Sequence, residues 1–300
     1  MRSRFSRYIL VLAFILMMSM QSVFAAGETA AVTFTKTEPA VTVCSYKDVN
    51  RIKWNKIDGA VKYNVYRSDK EKGKYTLIGS SKTSRYDDAD SESGAIYYYK
   101  VRAYNKNKSH TQFSSPVRFQ TIFRVYIACG HGTNEKGYWD PGTTYNGMQE
   151  AKLMLPITED FVAYMRKSGV YVYTDADGGN KLNRNKCIRK ANKKKISAYI
   201  SIHCDYQYAP SGTMPLYNSR EDKKLAKALN KGVHRTVKIK NRGLCKRPEL
   251  QELYKTKAVS CTFETGSIGK DYKIFKKKHK AYGKGLAMGL CNYLGVEFAG

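Results

Sequence analysis

The chain has 300 residues, with 53 lysines and arginines against 25 acidic residues, a formal net charge of +28. The length exceeds one average domain and suits two buried cores, and the charge calls for a polyanionic partner. Seven cysteines (Cys44, Cys129, Cys187, Cys204, Cys245, Cys261, Cys291), an odd count with no Cys-x-x-Cys pair, argue against a disulfide framework and leave only isolated bridges open.

Arg2, Arg4 and Arg7 precede an apolar run from Tyr8 to Met20 and small residues at Val23-Phe24-Ala25-Ala26, which predicts a cleaved secretory signal over 1–26. The alternative, an uncleaved anchor, meets an apolar stretch shorter than the ~20 residues a spanning helix needs. No later segment is apolar enough to span a membrane. Without its three signal arginines the chain keeps a net charge of about +25. For a secreted chain the expected polyanion is a cell-wall polymer; no nucleic-acid motif is present and no nucleic-acid partner is expected.

After a linker at 27–38, short alternating segments follow: Ile52-Lys53-Trp54, Tyr63-Asn64-Val65-Tyr66-Arg67, Tyr75-Thr76-Leu77-Ile78 and Tyr97 to Ala103. Period-two patterning in such pieces predicts an all-β sandwich over 39–121. With Gly59-Ala60, Tyr86-Asp87-Asp88 and Ser114-Ser115-Pro116-Val117, the stretch resembles a fibronectin type III domain, which makes Trp54 and Tyr99 core residues. A carbohydrate-stacking face is the other reading of these aromatics.

Beyond Gln120, strands alternate with helices, the pattern of an α/β domain with a mostly parallel or mixed sheet over 122–300. Strands are expected at Arg124 to Cys129, Val170 to Thr174, Ala198 to His203, Thr213 to Tyr217 and Ala258 to Phe263. Helices are expected from near Met148 to Lys167, bent at Pro156, and at Asn183 to Lys195, Ser219 to Thr236 and Tyr272 to Leu294. The run Lys276-Lys277-Lys278-His279-Lys280 reads as a solvated helix face, with polyanion contact the alternative.

Three strands end on chemistry: Cys129-Gly130-His131-Gly132, Ser201-Ile202-His203-Cys204 and Thr262-Phe263-Glu264-Thr265-Gly266. Ligands collect outside the carboxyl ends of strands in such sheets. With Glu150 opening a helix, two imidazoles, one carboxylate ligand and one spare carboxylate form the inventory of a catalytic zinc hydrolase. Singly, His131 reads equally as a loop residue and His203 as a core histidine.

Gly130-His131-Gly132, Asp140-Pro141-Gly142, Glu150, Ala191-Asn192, Ser201-Ile202-His203, Gly212, Asn241-Arg242-Gly243 and Glu264 occur in one order. In that order residues 122 to 296 resemble the catalytic domain of the zinc-dependent N-acetylmuramoyl-L-alanine amidases. The resemblance implies that His131, Glu150 and His203 hold Zn2+, that Glu264 is the catalytic carboxylate, and that the substrate is peptidoglycan. It further implies a secreted, wall-associated enzyme cleaving the amide between N-acetylmuramic acid and L-alanine. Asn241 and Arg242 are candidate substrate-binding residues, Arg242 through a stem-peptide carboxylate; a salt bridge or loop packing is its other role.

The family's Asp-Pro before Gly-His-Gly is replaced by Ala128-Cys129, its Asn after the second histidine by Cys204-Asp205, and its arginine upstream of Ala-Asn has no counterpart at that offset. In an extended segment Cys129 would point with His131 toward the metal. The competing reading is a non-catalytic wall- or polyanion-binding protein on an amidase scaffold.

Overall fold

The computed structural model describes residues 31–300, so the expected signal segment lies outside the described residues. The chain divides into two compact units. One holds the described residues from 31 up to Ser91 together with Ile96–Gln120, and the other Glu92–Ala95 with Thr121–Gly300.

The first unit is built from seven strands: β1 (Val41–Tyr46), β2 (Val49–Trp54), β3 (Lys62–Ser68), β4 (Thr76–Ser81), β5 (Arg85–Asp88), β6 (Ile96–Tyr104) and β7 (Val117–Gln120). They form a three-stranded sheet in the order β1-β2-β5 and a four-stranded sheet in the order β4-β3-β6-β7, every pair antiparallel. Strand alternation turns Tyr99, Val101 and Ala103 of β6 into one core with Ile52 and Trp54 of β2 and Tyr63 and Val65 of β3. Tyr99 also carries the polar tie that its burial requires: Asn50 Nδ2 donates to its hydroxyl at 2.8 Å, and the hydroxyl donates to Asp88 Oδ2 at 2.8 Å. Within the expected linker, residues 31–36 are helical and Phe34 joins this core, because its ring finds apolar neighbours there.

The second unit starts with β8 (Arg124–Cys129) and two short hairpins, β9 (Gly132–Thr133) with β10 (Trp139–Asp140) and β11 (Thr144–Tyr145) with β12 (Met148–Gln149). It continues through α1 (Glu150–Lys167), β13 (Tyr171–Thr174), α2 (Arg184–Lys193), β14 (Ala198–Asp205), β15 (Met214–Tyr217), α3 (Arg220–Thr236), β16 (Cys245–Lys246), α4 (Gln251–Tyr254), β17 (Val259–Ser267) and α5 (Ile268–Leu294). The sheet is mixed, in the order β13-β8-β14-β17-β15-β16. Its first four strands are parallel, and β15 runs against β17.

Alternation assigns the two faces. Val125, Ile127, Ile200, Ile202, Cys261 and Phe263 meet the large core under α1, α3 and α5, while Tyr126, Ala128 and Tyr199 meet α2 through Cys187, Ile188 and Ala191. The helix starts follow their caps: Asn183 accepts from Lys186 N, and Ser219 forms a capping box with Asp222.

Three features refine or correct the expectations. The first concerns α1, which continues through Pro156 as one helix. The carbonyl that Pro156 frees belongs to Lys152 on the exposed face, where water can take it. The non-helical residue lies instead in α5, at Lys278 (φ −124°, ψ 20°). Second, β14 and β17 extend to Asp205 and Ser267, so His203 and Glu264 lie inside paired strands rather than at strand ends. Third, α5 begins four residues before Tyr272, at Ile268. Among the described residues no helix is long and apolar enough to cross a membrane.

Candidate metal centre and active site

His203 and Glu264 are direct partners in the parallel ladder between β14 and β17. Both belong to the series (199, 201, 203; 260, 262, 264) that faces away from the large core, because Ile202 and Phe263 are packed into that core. His131 arrives differently. It follows β8 with φ 63°, and Gly132 follows with φ 89°. Two successive left-handed residues end the extended path of β8, so the i, i+2 rule does not carry Cys129 to the metal side. Cys129 instead points into the apolar core, its Sγ 3.9 Å from the Ala151 carbonyl. That corrects the expectation of a thiol facing the metal.

Glu150, the first residue of α1, is 2% exposed and is the hub of the site. Its Oε1 lies 3.0 Å from His203 Nδ1 and accepts from Cys204 N at 3.1 Å. Its Oε2 lies 3.3 Å from His131 Nε2 and accepts from Thr143 N at 3.0 Å. The imidazole rings are 5.1 Å apart, at 80° to one another. Backbone without side chains makes the approach possible: a Cβ on Gly130 would sit 2.5 Å from His203 Nδ1, and one on Gly142 would sit 2.5 Å from His131 Cδ2.

The charges follow from these contacts. Burial alone would raise the Glu150 pKa, but the hydrogen bonds to His131 and His203 outweigh it and hold the carboxyl well below the usual carboxylate range. Burial alone would lower both histidines, but Glu150 raises His131, and Glu150 with Glu252 raises His203 well above the ordinary value. Glu264 behaves in the opposite sense, since burial pushes it up to about 7, and its Oε2 is buried without a hydrogen-bond partner.

The set fits a zinc ion. One ligand atom from each of His131, Glu150 and His203 falls within 4.8 Å of the others, and the donors are the nitrogen and oxygen types zinc takes. Two bonds of about 2.0–2.1 Å at a tetrahedral angle separate their ligand atoms by about 3.3–3.4 Å, which the 3.3 Å between His131 Nε2 and Glu150 Oε2 matches, while His203 Nδ1 approaches the other oxygen, Oε1, at 3.0 Å. Loading such a site requires the ligand atoms to be free of protons, so metal binding releases any they carry.

Other residues support the site, Asp140 from the motif Asp140-Pro141-Gly142, and Asp175 and Asn180 without a signal in the sequence pattern. Asp140 Oδ2 lies 3.0 Å from His131 Nδ1, on the far side of that ring. The turn that lacks the Asp-Pro pair is held from outside, by Asp175 Oδ1 accepting from Cys129 N at 3.0 Å and Asn180 Nδ2 donating to Gly130 O at 3.2 Å. The candidate substrate residues make contacts within the chain. Arg242 Nη2 pairs with Asp205 Oδ2 at 2.9 Å and its Nη1 donates to Pro210 O, while Asn241 Oδ1 accepts from Asn230 Nδ2 and Gly243 N.

A parallel-centred sheet that gathers two imidazoles and several carboxylates near the carboxyl ends of its strands has the build of a metal-assisted hydrolase. The chain belongs to the N-acetylmuramoyl-L-alanine amidase family Amidase_3, whose family model matches residues 125–294. Three solved structures share the fold. The amidase AmiC2 of Nostoc punctiforme is 24% identical, over 58% of this chain and 97% of its own, with a TM-score of 0.52. The catalytic domain of the amidase CwlV from Bacillus (Paenibacillus) polymyxa var. colistinus is 19% identical over 59% and 100%, with a TM-score of 0.54. The amidase Ami1 of Mycobacterium smegmatis is 20% identical over 58% and 97%, with a TM-score of 0.51. No curated protein sequence matches the chain.

Proposed function

We propose that the protein is a secreted, zinc-dependent N-acetylmuramoyl-L-alanine amidase that hydrolyses the amide between the lactyl group of N-acetylmuramic acid and L-alanine in peptidoglycan. The observation that carries this reading is Glu150 clasped between two imidazoles, with a second, unpartnered carboxyl, Glu264, on the ladder rung of His203. His131, Glu150 and His203 would hold the ion. When bound, zinc polarises the scissile carbonyl and acidifies a water. Glu264 takes the proton of the attacking water and returns it to the departing alanine amine, a task suited to a carboxyl whose pKa is pushed up to about 7. Asp140 keeps the His131 ring turned toward Glu150.

In this reading residues 1–26 are the signal, 27–38 a linker, 39–121 a fibronectin type III-like sandwich serving as a spacer or docking module, and 122–300 the catalytic domain. The excess of basic side chains holds the protein on anionic wall polymers. Zinc analysis combined with release of stem peptides from purified peptidoglycan tests the proposal. His203→Ala should lose metal and activity together, and undiminished zinc in that variant refutes the ligand assignment. A zinc-loaded wild-type protein that binds wall but releases no peptide would favour the scaffold reading.

A further inference from the structure

Both histidines of the cluster are arranged alike. One ring nitrogen faces Glu150, and the other faces a separate carboxylate. For His131 that carboxylate is Asp140, at 3.0 Å from Nδ1. For His203 it is Glu252, whose Oε2 lies 3.5 Å from Nε2. At that distance the contact is an ion-pair separation rather than a formed hydrogen bond, and Nε2 is buried with no hydrogen-bond partner.

Glu252 is an unusual residue to find inside the protein. It sits on α4, is 8% exposed, and lines a cavity of about 150 Å³ together with His131 and His203. Its other close partners are two hydroxyls, from Tyr199 to Oε1 at 3.4 Å and from Thr262 to Oε2 at 3.5 Å. A carboxylate taken out of water needs a positive or strongly donating partner; the His203 imidazole is in contact with it, and the Arg184 guanidinium, lining the same cavity, adds a longer-range attraction. The pairing also follows from the fold: Tyr199 and His203 share the face of β14 that Thr262 shares on β17, and α4 lays Glu252 across that face.

We infer that Glu252 is a positioning residue for the metal centre: it takes the Nε2–H of His203, fixing the tautomer that leaves the Nδ1 lone pair free for the metal beside Glu150. His131 would then bind through Nε2 and His203 through Nδ1, each ring held from behind by its own carboxylate. Such carboxylates behind ligating histidines fix ring orientation and raise basicity, and their removal costs about 10- to 100-fold in metal affinity. The inference rests on the metal reading of His131, Glu150 and His203.

The test uses the full chain and zinc itself. Zinc affinity is measured by competition with a chromophoric chelator for wild type, Glu252→Gln and Glu252→Ala, with circular dichroism as a check on folding. Nitrogen-15 spectra of the zinc-loaded protein report which His203 nitrogen carries the proton. Wild type should show the proton on Nε2. Glu252→Ala should bind zinc about 10- to 100-fold more weakly. Glu252→Gln, whose amide oxygen can still accept, should fall between the two and keeps the test open if the alanine variant fails to fold. Zinc binding as tight in the folded variants as in wild type, or a proton on Nδ1 of His203, overturns the inference while leaving the metal site standing. A Glu252→Gln protein that binds zinc like wild type yet has lost 100-fold or more in kcat would make Glu252 a catalytic residue and also overturn it. A wild-type protein that binds no zinc refutes the metal reading itself.

Discussion

Replacing Glu264 with Gln separates the cost of a buried carboxyl from its use. In the metal-free protein burial raises this group from 4.5 to about 7, a difference of about 2.5 pH units, or about 3 kcal/mol between its neutral and ionised forms. A carboxyl whose folded pKa is raised contributes its full share of stability below the unfolded value near 4.5. It loses that share as pH rises through 7, because the folded state then binds the proton that the unfolded state has given up. Gln keeps the size and cannot ionise. Relative to wild type, the metal-free variant should therefore gain about 3 kcal/mol between pH 4 and pH 8.5. Urea unfolding followed at 222 nm measures this, since α1 to α5 all belong to the second unit. With zinc restored the same variant should keep its metal and lose about 10²- to 10⁴-fold in rate. A stability difference that is flat with pH would show that the carboxyl is not destabilised by its surroundings. Loss of zinc would make Glu264 a ligand, and full activity would remove it from the mechanism.

Two further outcomes are expected. Gly130→Ala places a methyl 2.5 Å from His203 Nδ1 and 2.7 Å from the Ile202 carbonyl, so the folded variant, its His203 ring pushed aside, should lose zinc affinity by about tenfold or more; stoichiometric zinc at wild-type affinity would contradict this. Retention on purified cell walls should fall steeply between low and high salt, because the basic excess acts through attraction screened over about 10 Å at 0.1 M. Retention indifferent to salt would point to specific glycan recognition instead.

The chemistry was legible in the sequence where it coincided with a strand or a cap. His203 and Glu264 follow β-prone apolar runs, and Ser219 and Asn183 announce their helices. The four-residue extension of β17 was not legible, because Glu264-Thr265-Gly266-Ser267 is polar and looks like a loop; it stays in the strand because the backbone of β14 continues beside it to Asp205. The edge strands β1, β5 and β7 are largely exposed and show little apolar alternation. Glu252 lies in the stretch Pro248-Glu249-Leu250-Gln251-Glu252, which reads as a solvated surface, and only the tertiary arrangement buries it. Arg242 read equally as a substrate clamp or a brace; its contact with Asp205, 37 residues away, is visible only in the fold.

The rung shared by His203 and Glu264 gives the site two mechanically different halves. Their backbones are held at the spacing of adjacent strands, about 4.8 Å, by hydrogen bonds that run deep into the sheet, so this distance is set by architecture and not by side-chain fit. His131 and Asp140 instead ride on a segment stabilised by two-residue hairpins and glycine turns. A bulky polymer arriving at the centre therefore meets a stiff wall on one side and a compliant one on the other. Shape adjustment falls to the side that carries His131, while the backbone separation of His203 and Glu264 is held by the sheet.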